Sequence, residues 1–61
     1  MAFAEKLIAI RRAHHLTQEQ LAAKLFVTRQ AVSRWERGEV TPGIDMMKLI
    51  AAVTDEPLSH L

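Results

Sequence analysis

Apolar residues recur along this chain at intervals of three and four, in short blocks set apart by polar positions. Phe3, Leu7 and Ile10 fall at i, i+4 and i+7, and Ala4 and Ile8 widen the stripe, so residues 2–14 are predicted to form a first helix. Leu21 and Leu25, then Val32 and Trp35, repeat the spacing in two shorter blocks that each have one apolar face. Ile44, Met47, Ile50 and Ala51, extended by Leu49 and Val53, predict another helix over 44–54, whose stripe Thr54 weakens at its end. Between these blocks residues 38–43, Gly-Glu-Val-Thr-Pro-Gly, read as a loop. Pro57 opens a short fifth segment carrying Leu58 and Leu61 at i and i+3. The expected fold is all-α, a compact bundle of four to five short helices in one domain over residues 1–61.

The two central blocks carry matching start signals. Thr17 is placed to cap one helix, with Gln20 three residues on completing a capping box, and Leu16 and Leu21 hold the positions of a hydrophobic staple. Thr28 repeats the cap, with Val27 and Val32 as its staple. Caps at 17 and 28 leave room for about two turns of helix and a three-residue turn. That is the spacing of a helix-turn-helix. Ala22 falls where the two helices approach, and a larger side chain would hold them apart. Gly38 supplies a left-handed stop after the third helix.

Composition narrows the picture. Sixty-one residues make one small domain that buries only ~60% of its unfolded surface, and 49% apolar content suffices for one core. With no cysteine there is neither a disulfide framework nor a thiolate metal site. No apolar run approaches the ~20 residues of a membrane span and no signal-peptide pattern follows Met1, so a cytoplasmic protein without membrane association is expected. Arg11, Arg12, His14 and His15 cluster at the end of the first helix, where cations suit the helix dipole. Adjacent histidines point about 100° apart on a helix, which suits no single metal ion. Met46 and Met47 read as core and rim rather than a cofactor box.

The net charge is only +1, but three arginines and one glutamate fall between residues 29 and 37. Arg29, Gln30, Ser33, Arg34 and Arg37 share one face of the third helix, a set of hydrogen-bonding side chains without a carboxylate that suits base edges and phosphates. The same face also fits a solvated surface with no ligand. Trp35 could stack on a base, yet its spacing from Val32 puts it on the buried side.

Leu16-Thr17-Gln18-Glu19-Gln20-Leu21-Ala22, Val27-Thr28-Arg29-Gln30-Ala31-Val32-Ser33 and Trp35-Glu36-Arg37-Gly38, with Pro42 and the apolar helix after it, resemble the Cro and phage-repressor family of bacterial transcription regulators, the xenobiotic-response-element type. The likeness runs from about Phe3 to Leu61 and implies a lambda-repressor-like DNA-binding domain. It implies an ion pair between Arg11 and Glu36 that ties the first helix to the end of the third. One departure stands out: the turn position usually filled by glycine is Phe26, which is expected to take a left-handed conformation at a cost of about 1 kcal/mol. Relatives often place cations or dimer contacts in the 38–43 loop. Here the loop has Glu39 and no Lys or Arg, and Val40 is an exposed apolar residue available to a second subunit.

The resulting expectation is sequence-specific binding of double-stranded DNA by a transcriptional regulator, a repressor by family habit, with residues 29–37 in the major groove. Arg29, Gln30, Ser33 and Arg34 are the base-contacting candidates: either arginine can take guanine O6 and N7, and Gln30 can take adenine N6 and N7. Thr17, Gln18, Thr28 and Arg37 are the phosphate-contacting candidates, aided by free N–H groups at a helix start. One such domain buries too little for tight binding, so a homodimer on a palindromic operator is expected, formed before or only on DNA. No cofactor, metal or small-molecule ligand is called for, and nothing suggests an enzyme. An antitoxin or adaptor using the same helices to meet a protein is the alternative, although interaction faces favour aromatic and aliphatic anchors. Residues 1–61 are also suited to be the N-terminal portion of a longer protein.

Overall fold

A computed structural model describes residues 2–57 and 61, and within them four helices are linked by short turns: α1 Phe3–Ala13, α2 Gln18–Leu25, α3 Arg29–Glu36 and α4 Ile44–Thr54. The two middle starts are built as the sequence suggests. The Gln20 N–H donates to Thr17 Oγ1 at 3.0 Å, and the Thr17 N–H donates to Gln20 Oε1 at 2.8 Å. At the next start the Ala31 N–H donates to Thr28 Oγ1 at 3.2 Å. These bonds satisfy backbone donors that the helix itself leaves orphaned. By contrast, α1 and α4 follow Ala2 and Gly43, which provide no side-chain cap. Local starting information is concentrated in the helix pair α2–α3.

The four stops share one device. His15, Phe26, Gly38 and Asp55 all have positive φ, at 56°, 59°, 74° and 57°. After each of them the next N–H reaches back five residues: Leu16 to Arg11, Val27 to Ala22, Glu39 to Arg34 and Glu56 to Ala51, at 3.0 to 3.1 Å. This is the bond that closes a left-handed helix end and satisfies a terminal carbonyl. Glycine takes that conformation freely, but only one of the four is glycine. Phe26 adopts the expected left-handed state, with φ 59° and ψ 37°.

The core joins all four helices: Leu7 from α1, Leu21, Ala22 and Leu25 from α2, Val32 and Trp35 from α3, and Ile50 from α4. Ala22 and Trp35 are buried, as their positions in the apolar pattern require. Helix α3 packs between α1 and α2, and α4 closes over α2. Phe3, Leu16, Val27, Met46, Leu49, Val53 and Leu61 pack half-buried around this centre. The radius of gyration, 10.1 Å, matches the ~10.5 Å of a folded chain of this length.

Two expectations about α4 need correction. Ile44 falls in the apolar stripe by its spacing but is 57% exposed. It shares the edge of Ala51, seven residues on, but it opens the helix, where the covering of that edge has run out. Thr54 does not end the stripe: it is 2% exposed, and its hydroxyl donates to the Ile50 carbonyl at 2.6 Å. That intrahelical bond removes most of the cost of burying a hydroxyl. Leu58 of the expected fifth segment lies outside the described residues. No described helix is long and apolar enough to cross a membrane.

Candidate nucleic-acid interface

Because α3 is held by α1 and α2 along its Val32–Trp35 side, its other side faces outward. Arg29, Gln30, Arg34 and Arg37 are exposed, Ser33 is half-buried, and together the five line one shallow polar groove. The five polar side chains grouped by their helical spacing thus form a single continuous surface. Thr28 caps it at the N-terminal end, and its hydroxyl proton remains to be donated outward while its oxygen accepts from Ala31. Thr17 stands the same way at the start of α2. Phe26, in the turn between the two helices, is 89% exposed and belongs to neither the core nor the groove.

The orientation of α3 is fixed by Glu36 in its last turn. Arg11 Nε donates to Glu36 Oε2 at 2.6 Å and Arg11 Nη2 to Oε1 at 3.0 Å, a bidentate pair whose side chains are only 14% and 5% exposed. Hydrogen bonding to Glu36 raises the Arg11 pKa above its ordinary value, against partial burial, which lowers it. Arg11 Nη1 also donates to the Leu16 carbonyl at 2.9 Å. Gln18 completes the cluster, its Nε2 donating to Glu36 Oε1 at 3.0 Å. One carboxylate therefore gathers α1, the α1–α2 turn, α2 and α3.

Gln18 consequently has two possible occupations. One Nε2 proton is spent on Glu36, which leaves the second proton and Oε1 for an outside partner. Arg37 is also engaged. Its Nε donates to Glu39 Oε2 at 2.6 Å, its Nη2 to Oε1 at 3.4 Å, and its Nη1 to Ser33 Oγ at 2.8 Å. These hydrogen bonds hold the Glu39 carboxyl below the usual carboxylate range, with the Arg34 charge adding to the effect, and they raise the Arg37 pKa. In the sequence Glu39 marks only a loop without a cation. The available signal was Gly38 between the two, since a left-handed residue turns the chain back over the last helical turn.

The family model for the helix-turn-helix matches residues 7–61. The chain belongs to this family. Its helix-turn-helix, of the xenobiotic-response-element type, is α2, the turn at Phe26, and α3. The HTH-type transcriptional activator BcrR of Enterococcus faecalis is 47% identical over 51 residues, which cover 84% of this chain and 25% of that protein. The chain thus spans about a quarter of the length of the curated relative it matches. Membership places this helix-turn-helix domain among DNA-binding transcription regulators.

Proposed function

We propose that this helix-turn-helix domain reads duplex DNA sequence-specifically, with α3 in the major groove and the N-terminal half of its face against base edges. The observation that supports this most directly is the face itself: Arg29, Gln30, Ser33, Arg34 and Arg37 line one groove, with no carboxylate or large apolar side chain among them. Arg29 and Arg34 are the bidentate partners for guanine and Gln30 for adenine, each good pair contributing about 1–3 kcal/mol of discrimination. Ser33 is held by Arg37 and acts at closer range. Thr17, Gln18, Thr28 and Arg37 grip the sugar–phosphate backbone. The free proton of Gln18 and the N–H groups at the start of α2 provide the hold on one phosphate.

A homodimer on a palindromic operator fits the small size of one such face. Val40, in the loop after α3, and Ile44, the first residue of α4, are 48% and 57% exposed and are available to it. Whether the regulator represses or activates depends on where its operator lies. The relative is named an activator, so a repressor's role is no longer the favoured one. A protein-binding use of α3 is less well supported, because the large exposed apolar residues Phe26, Val40 and Ile44 all lie off the groove.

Selection from a randomised duplex pool at two salt concentrations tests the reading. Enrichment of an inverted repeat, bound less tightly as salt rises, is the expected result. Recovery of no preferred sequence by a dimerised form of the domain would overturn it.

A further inference from the structure

Two glutamates flank the end of α3, and they obtain their cations from different places. Glu36 is paired with Arg11, which comes from α1 and lies outside the reading face. Glu39 is paired with Arg37, which is part of that face. The pairing follows from the helix stop: Gly38 turns left-handed and the Glu39 N–H returns to the Arg34 carbonyl at 3.0 Å, which seats Glu39 over the last turn. Its carboxylate takes the Nε–Nη2 edge of Arg37, while Ser33 Oγ takes Nη1 and lays the guanidinium along the helix. Both charged partners are about half exposed, at 56% and 52%, so the pair is weak enough for another anion to displace.

We infer that Glu39 competes with DNA phosphate for Arg37 and so sets the salt-dependent, sequence-independent part of the domain's affinity. This rests on the DNA-binding reading and deepens it. A phosphate that approaches Arg37 meets either a guanidinium whose side edge is taken or a released carboxylate close by, and both lower the gain. Arg29 and Gln30, at the opposite end of α3, carry base recognition away from Glu39. Its charge therefore reduces binding to any duplex, and it gives the domain a lower background affinity than the three arginines of the groove alone would provide.

The experiment compares wild type with Glu39→Gln on the selected operator and on a scrambled duplex, titrated from 50 to 200 mM salt. Glu5→Gln, which makes the same charge change on exposed α1, serves as control. Glu39→Gln is expected to steepen the dependence of log K on log salt by about 0.9, which is roughly a three- to fourfold larger gain at the low-salt end. Glu5→Gln leaves the slope alone, and Glu39→Gln combined with Arg37→Ala returns it to the wild-type value. An unchanged slope in Glu39→Gln, or weaker binding from loss of a support for Arg37, overturns the inference while the wild type still binds. Failure of the wild type to bind either duplex would instead refute the DNA-reading function itself.

Discussion

Phe26→Gly should leave the domain about as stable as it is or make it more so, an unusual outcome for deleting an aromatic ring. The residue holds φ 59° and ψ 37°, a conformation that costs a side-chain-bearing residue about 1–2 kcal/mol and glycine nothing. Against this stand two losses. The ring is 89% exposed, so the remaining tenth of its ~200 Å² contributes only about 0.5 kcal/mol of burial. Glycine also brings roughly 0.5–1 kcal/mol of extra freedom to the unfolded chain. The balance lies between about −0.5 and +1 kcal/mol. Phe26→Ala separates the terms, because it loses the same ring and keeps the strain. Glycine should exceed alanine by about 1 kcal/mol, or some 4–8 °C in melting temperature for a domain of this size. Urea and thermal unfolding followed by circular dichroism read both variants. Should glycine prove less stable than alanine, the left-handed turn is not the source of strain. A loss above ~2 kcal/mol in either variant would mean that the ring is packed.

Other outcomes follow from the same geometry. Glu36→Gln removes the partner of a half-buried guanidinium and should cost about 2–3 kcal/mol, below the 3–5 of a fully buried pair; an unchanged melting temperature would deny the cluster its structural role. Arg34→Ala should relax preference at one base position by about 1–3 kcal/mol, whereas Gln18→Ala should weaken all sequences alike and, through Glu36, lower the melting temperature as well. Identical selection profiles for the two would contradict their roles. The Glu39 carboxyl, held low by Arg37, should titrate below an ordinary glutamate in an NMR pH series and move up in Arg37→Ala. Since its folded pKa is the depressed one, the pair's small contribution is present above the ordinary glutamate pKa and is lost as pH falls through the folded value. A Glu39 midpoint insensitive to Arg37→Ala would show that the pair is not populated in solution.

The helices and their middle starts were legible because their causes are local. Thr17, Gln20 and Thr28 act within one turn, and the three-to-four spacing of Leu21, Leu25, Val32 and Trp35 needs only the helical repeat. Helix ends were harder. Gly38 was readable, and Phe26 became so only by comparison with a family in which glycine is usual. His15 and Asp55 were not foreseen, although both types are enriched among left-handed residues. The error at Ile44 has another origin: periodicity assigns a residue to a face, but how far a neighbouring helix covers that face is tertiary information. The groove residues were found by their shared helical face, yet their mutual engagements were invisible. The bonds of Gln18 to Glu36 and of Arg37 to Glu39 depend on where turns bring side chains, which spacing along one helix does not encode.

Under the proposed DNA-reading function, those engagements tie stability to recognition at opposite ends of α3. The proposed N-terminal readers, Arg29 and Gln30, follow a cap and a left-handed turn, so a change at Thr28 or Phe26 that shifts the helix start re-aims them directly. The C-terminal end is anchored through Glu36 to Arg11 and Gln18, and any rotation of α3 about its axis would break at least one of three hydrogen bonds to that carboxylate. Gln18 is the shared part: a phosphate that draws it outward must leave its remaining bond to Glu36 intact or weaken the anchor of the reading helix. The proposed backbone grip and the helix orientation are therefore coupled through a single amide. It follows that substitutions at Gln18 should not separate into a pure affinity effect and a pure stability effect, whereas those at Arg34, exposed and outside the Glu36 cluster, should.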